Sequence, residues 1–271
     1  MIVDWDDAYA NAEHIADPDA FPPVWAARGA EFGAERLAAG RAELDLAYGQ
    51  GERERLDLFR PEGRSKGLAV FVHGGYWTRY DKSYWSHLAE GALRRGWTVA
   101  VPSYALAPEV RIRDITRQVG RAIGFAAARV PGPIRLAGHC SGGCLVTRMG
   151  CLSGPLTEAE RRRIQRIVAI GGLFDLRPLM MTRLNRTLGL DEAEAAAESP
   201  ALARPWPGLA LTAWVGADER PEFLRQSELI ANIWTGLGAS TKCVRAPGRH
   251  HYDVIADLSD PDSALSAAFA P

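Results

Sequence analysis

Lysine is nearly absent from this chain: of its 32 basic residues, all but Lys66, Lys82 and Lys242 are arginine, a bias that reads with the abundant alanine as genome composition. An excess of either charge is absent too. The 33 acidic residues leave a formal charge of −1, so there is no electrostatic footprint for nucleic acid or for an anionic membrane surface. No apolar run approaches the ~20 residues that span a bilayer. The acidic opening Met1-Ile2-Val3-Asp4-Trp5-Asp6-Asp7 lacks the basic start and apolar stretch of a signal peptide. Only 4 cysteines occur in 271 residues, which argues against a disulfide framework. Cys140, Cys144 and Cys151 lack the second Cys-x-x-Cys pair of a structural zinc site, so no metal is expected. Gly171-Gly172 lacks the spacing of a dinucleotide loop, and no cofactor is expected either. These absences point to a cytoplasmic protein that acts on a small molecule.

The pattern that is present alternates. Residues 1–41 read as short helices, broken at Pro18 and Pro22-Pro23. Residues 42–48 and 53–59 alternate apolar and polar around Gly49-Gln50-Gly51, as an antiparallel hairpin does. The run Leu68-Ala69-Val70-Phe71-Val72 suits a strand buried on both faces. Further strands are expected at 97–101, 134–137, 167–170, 209–215 and 241–245. Helices are expected at 83–95, 112–129, 141–152 and 221–237. Strands separated by helices imply right-handed βαβ units and a mostly parallel sheet. Residues 173–207 interrupt the rhythm with Pro178, Pro200, Pro205 and Pro207, and read as a lid-like excursion over the sheet edge. The expectation is one α/β domain over 1–271.

The chemistry gathers at the ends of strands. Gly138-His139-Cys140-Ser141-Gly142 joins a short strand to a helix, and a tight turn of this kind leaves no room two residues either side of its apex. Centring the turn on Cys140 puts glycine at both crowded positions; centring it on Ser141 would put His139 in one of them. Cys140 is therefore the candidate nucleophile, and the Ser141 N–H a candidate oxyanion donor. His73-Gly74-Gly75-Tyr76-Trp77 follows an earlier strand, with Gly75 and Tyr76 N–H groups as further donors and Gly74 shaping the turn. Asp218 and Glu219 follow the strand at 209–215, and either could orient an imidazole. His250 and His251 follow the last strand. The order nucleophile, acid, histidine matches the α/β-hydrolase arrangement.

At this point a resemblance becomes specific. Gly74-Gly75-Tyr76-Trp77 after a histidine, Gly138-His139-x-x-Gly142-Gly143, Pro221-Glu222-Phe223 before Arg225-Gln226-Ser227, and His251-Tyr252-Asp253 together resemble the kynurenine formamidase (arylformamidase) branch of the α/β-hydrolase superfamily, related to hormone-sensitive-lipase-like esterases. The resemblance covers roughly residues 50–260. It implies an α/β-hydrolase fold, His251 as base and Glu219 as acid, with Asp218 the near alternative. A homodimer is a superfamily-level expectation. The family carries serine where this chain has Cys140, so the chain departs from it at the nucleophile. A Gly-x-Cys-x-Gly-Gly elbow also resembles cysteine-based dienelactone hydrolases.

The implied chemistry is covalent acyl transfer on a small ester, lactone, thioester or aryl formamide, with Trp77 and Tyr104 as aromatic pocket walls. Two other readings stand beside it: a non-catalytic binding protein on the same fold, and an introduced Ser→Cys change in a serine hydrolase.

Overall fold

Alternation along the central strands decides the architecture. In the computed structural model, which describes residues 4–271, Leu68, Val70 and Val72 face one apolar core while Ala69 and Phe71 face another. A strand apolar on both sides needs cover on both faces, and helices supply it. Met1, Ile2 and Val3, the start of the acidic opening, lie outside the described residues.

The eight strands are β1 (Ala42–Ala47), β2 (Arg55–Phe59), β3 (Leu68–Val72), β4 (Thr98–Pro102), β5 (Ile134–His139), β6 (Ile164–Ile170), β7 (Ala210–Gly216) and β8 (Ser240–Ala246). They form one sheet in the order β1-β2-β4-β3-β5-β6-β7-β8. β2 runs antiparallel to β1 and to β4, and every other pair is parallel. The chain thus crosses over β3 before proceeding outward, and the C-terminal ends of β3, β5, β6, β7 and β8 share one rim. Crevices outside the carboxyl ends of such strands are where open α/β sheets bind ligands.

The helix Ile112–Arg129 buries Ile115, Val119, Ile123 and Ala126 at helical spacing, and it coincides with its expected bounds. The expected helix over 83–95 is instead two 3₁₀ turns, Lys82–Tyr84 and Ser86–Ala89, followed by the helix Glu90–Arg94. Local tethers account for the difference. The Lys82 ammonium meets Asp45 and Asp57, each at 2.8 Å, and the Asp81 carboxylate accepts the Ser83 N–H at 2.8 Å, so the first turn is fixed to β1 and β2.

The excursion expected over the sheet edge at 173–207 is made of 3₁₀ turns and short helices between 177 and 202. They lie on the helical layer, where Thr116 Oγ1 donates to Glu198 at 2.6 Å and Arg111 pairs with Glu194. Trp234 Nε1 donates to the Pro200 carbonyl at 3.2 Å. The prolines there shape a cover for the first core. Among the described residues, no helix is long and apolar enough to cross a membrane.

Candidate active site

β5 ends at His139, the helix Ser141–Met149 begins two residues later, and Cys140 makes the turn alone at φ 53° and ψ −122°. That left-handed conformation is costly for a side-chain-bearing residue and persists only when its surroundings enforce it. The enforcement is steric. A Cβ at Gly138 would lie 2.2 Å from the Gly142 oxygen, and one at Gly142 would lie 2.1 Å from the Val72 oxygen. The two glycines let β5, the helix and β3 close on each other, which leaves the Cys140 side chain at the apex. Ser141 turns its hydroxyl away, to accept the Trp77 N–H at 3.3 Å.

The loop after β3 faces the sulfur. A Cβ at Gly74 would lie 2.7 Å from the Cys140 Cβ, so only glycine admits this approach. Gly75, Tyr76 and Trp77 follow at φ 111°, 51° and 59°. The main-chain N–H groups of Gly75 and Ser141 act on the Cys140 sulfur in the direction that favours its charged form. Among the described residues, the Tyr76 N–H donates to no backbone carbonyl, and the Tyr76 hydroxyl donates to the Tyr9 carbonyl at 2.6 Å.

Two expected pocket walls are elsewhere. The positive torsions at Tyr76 and Trp77 roll the Trp77 indole into the first core, where it is fully buried. Tyr104 is equally buried: its ring stacks on His73 at 4.4 Å, and its hydroxyl donates to the His73 carbonyl at 2.8 Å. Both support the donor loop from beneath and neither lines the cavity.

The acid and the base arrive from β7 and β8. Glu219 Oε1 accepts the Gly216 N–H at 2.9 Å, and Oε2 lies 2.5 Å from His251 Nδ1. Asp218 is exposed, and among the described residues only its N–H is engaged, with the Arg249 carbonyl at 3.0 Å. His250 packs its ring on Phe21 at 5.4 Å rather than on the sulfur. The structure therefore brings together Cys140, His251 and Glu219 and leaves Asp218 outside.

Charge follows from this placement. Burial pushes the Cys140 thiol up, but the His251 charge, its side-chain hydrogen bond and the Gly75 and Ser141 N–H groups hold the thiol below its usual value. Burial likewise opposes the His251 imidazolium, and the Glu219 carboxylate and then Cys140 outweigh it, so His251 stays protonated above the ordinary histidine range. The pair favours thiolate with imidazolium.

Sequence reasoning missed three contributors. A Cβ at Gly171, where φ is 51°, would lie 2.9 Å from both Glu219 Oε2 and His251 Nδ1. Its position directly after a predicted strand was the available signal. Phe223 packs its ring 4.7 Å from that of His251, and His139 packs at 4.5 Å on the same imidazole.

A cavity of about 210 Å³ opens over the sulfur, walled by Tyr9, Trp25, Tyr76, Tyr80, Trp85 and Tyr252. Tyr9 to Glu13 supply one side of it, and no residue of 173–207 reaches it. Asp6 pairs with Arg183 at 3.0 Å, Asp7 pairs with Arg220, and the Tyr9 hydroxyl donates to Glu222 at 2.9 Å, which together hold that segment down. Among the described residues, no group of three or more His, Cys, Asp or Glu is arranged to hold a metal ion.

Known proteins resemble the chain at several depths. Residues 69–268 match a family model described as the alpha/beta hydrolase family. The kynurenine formamidase of Drosophila melanogaster is 28% identical over 238 residues, covering 82% of this chain and 78% of that one. A crystal structure from a Silicibacter species, of a protein described provisionally as a thioesterase, superposes with a TM-score of 0.94 at 47% identity over 99% of both chains. An esterase from Pyrobaculum calidifontis shares the fold at a TM-score of 0.69 and 18% identity, over 92% of this chain and 90% of its own.

Proposed function

The chain belongs to the alpha/beta hydrolase family, and from that premise we propose that it is a hydrolase working by covalent acyl transfer, with Cys140 as nucleophile, His251 as general acid and base, and Glu219 as its orienting carboxylate. The observation that carries this reading is Cys140 at a strained apex on the cavity that His251 also lines, with Glu219 held on the Nδ1 of that imidazole. A structural cysteine needs none of these. Low-pKa thiols in such surroundings are nucleophiles.

The Cys140 thiolate attacks the substrate carbonyl carbon, and the carbonyl π pair moves to oxygen. The N–H groups of Gly75 and Ser141, with that of Tyr76, stabilise the oxyanion; losing one such donor typically costs about 10²–10³ in kcat. Collapse restores the carbonyl and expels the leaving group, which takes a proton from the His251 imidazolium. Water, giving a proton to the now neutral His251, attacks the thioester; the acid departs, and thiolate and imidazolium are regenerated.

The aromatic lining supports a small planar acyl or leaving group. A thiolate nucleophile gains most on activated acyl compounds, so we place aryl esters, lactones and thioesters ahead of aryl formamides. Similarity to kynurenine formamidases keeps formamides within the class.

The test is turnover of a p-nitrophenyl ester series by wild type, Cys140→Ala and Cys140→Ser, with intact mass to trap an acyl adduct. Loss in the alanine variant, with retained turnover in the serine variant, is expected. Undiminished turnover in the alanine variant overturns the reading. Wild type that binds the esters without turning them over would favour a binding protein.

A further inference from the structure

His139 precedes the apex cysteine and is 5% exposed, yet it does more than fill space. Its Nε2 lies 2.9 Å from the main-chain oxygen of His251, and its ring packs on the His251 ring at 4.5 Å with a 37° tilt. A carbonyl oxygen can only accept, so Nε2 carries the proton and donates. The contact joins the end of β5 to the loop after β8, residues 112 positions apart in sequence.

We propose that His139 is a positioning residue for the acyl-transfer site: a neutral imidazole whose Nε2–H holds the His251 main chain so that the His251 ring stays over the Cys140 thiol. The inference rests on the Cys140–His251 reading above. Phe223 packs on the His251 ring at 4.7 Å, and Glu219 fixes Nδ1 at 2.5 Å. Three contacts thus set the imidazole, and among the described residues only the one from His139 grips its backbone.

Electrostatics suit the role. Burial, and then the charge of His251, push His139 far below the ordinary histidine value, so it stays neutral beside an imidazolium. A second cation there would weaken the one that acts on the thiol. The other ionisable groups around the pair are Glu219 after β7, Tyr252 beside His251, Tyr76 and Tyr80 after β3, Tyr104 after β4 and Cys144 on the helix. None of these is a cation, and Arg79, which also lines the cavity, is exposed. His251 is therefore the positive charge whose placement matters to Cys140.

The experiment separates the donor from the ring. His139→Gln keeps an N–H that can reach the carbonyl; His139→Phe keeps a ring without a donor; His139→Leu keeps neither. For each chain, kcat/KM on an aryl ester and the pH midpoint of Cys140 alkylation by iodoacetamide are measured beside wild type and His251→Ala. The two donor-free variants are expected to lose on the order of 10²-fold in kcat/KM, as small misplacements of a catalytic group do, with the Gln variant within about tenfold of wild type. Their alkylation midpoints should move up toward that of His251→Ala, while that of the Gln variant should not. Donor-free variants that behave as wild type overturn the proposal. So does a Gln variant no better than the other two, including loss of folding in all three. A wild-type Cys140 that alkylates as an unperturbed thiol overturns the acyl-transfer reading itself and this inference with it, an outcome visible before any His139 variant is made.

Discussion

Cys140 and Cys144 stand one helical turn apart, both buried, and their thiols diverge. At Cys144 burial acts first, the Glu198 carboxylate adds to it, and the thiol sits far above its usual value. At Cys140 burial also acts first, yet the His251 charge and the main-chain N–H groups reverse the result. Just beyond the end of the same helix, Cys151 is pushed up to about 11 by burial. The lesson is that dryness alone makes a thiol inert. On the proposed reading the rim thiol reacts because dryness there coincides with a cation and with the N–H groups of Gly75 and Ser141.

Removing the cation breaks the contrast most severely. His251→Ala is expected to lower ester turnover on the order of 10⁴-fold or more, as loss of a catalytic histidine does elsewhere. The sign of the thiol response follows: without imidazolium, burial remains and the Cys140 value rises. Because the thiolate is the reactive form, wild-type alkylation should rise with pH before that of exposed Cys243, whose thiol burial and Glu228 push up. In His251→Ala the order of Cys140 and Cys243 should reverse, which mass-resolved alkylation across pH 5–10 would read.

A subtler break comes from the floor of the site. Gly171→Ala would set a methyl at 2.9 Å from both Glu219 Oε2 and His251 Nδ1. Turnover should fall by about 10–10² through misplacement of the imidazole. The left-handed φ should cost a further ~1 kcal/mol in urea unfolding. Equal turnover would show that the acid–histidine pair tolerates displacement. The smallest effect is expected on the other side of the contrast. Cys144→Ala should cost about 1 kcal/mol of stability as an ordinary core truncation and leave ester turnover and the Cys140 midpoint unchanged. A shifted midpoint would mean that the two thiols are not independent.

How much of this was legible depends on the range of the cause. Gly138 and Gly142 flag Cys140 because a Cβ at either would lie 2.2 or 2.1 Å from a main-chain oxygen packed against the turn. The helix Ile112–Arg129 was legible because its apolar stripe is local. Trp77 was misplaced because two successive positive torsions, at residues that do not advertise them, reverse the direction in which the loop presents its ring, and Tyr104 because it stacks on His73, 31 positions away in sequence. The part that Tyr9 to Glu13 play in the cavity was not legible, since the pairings of Asp6 with Arg183 and Asp7 with Arg220 span most of the chain. No spacing rule reports a partner that distant. Glu219 and Asp218 were left as alternatives by the residues alone, and the resemblance favoured the one the structure places on His251.

The hydroxyl of Tyr76 on the Tyr9 carbonyl ties the donor loop to a surface stretch that belongs to no strand. One edge of the cavity is consequently carried by a segment outside the sheet. An engineer could rewrite Ala10, Asn11 and Ala12 to admit bulkier acyl chains while the sheet, and the machinery mounted on it, stayed untouched.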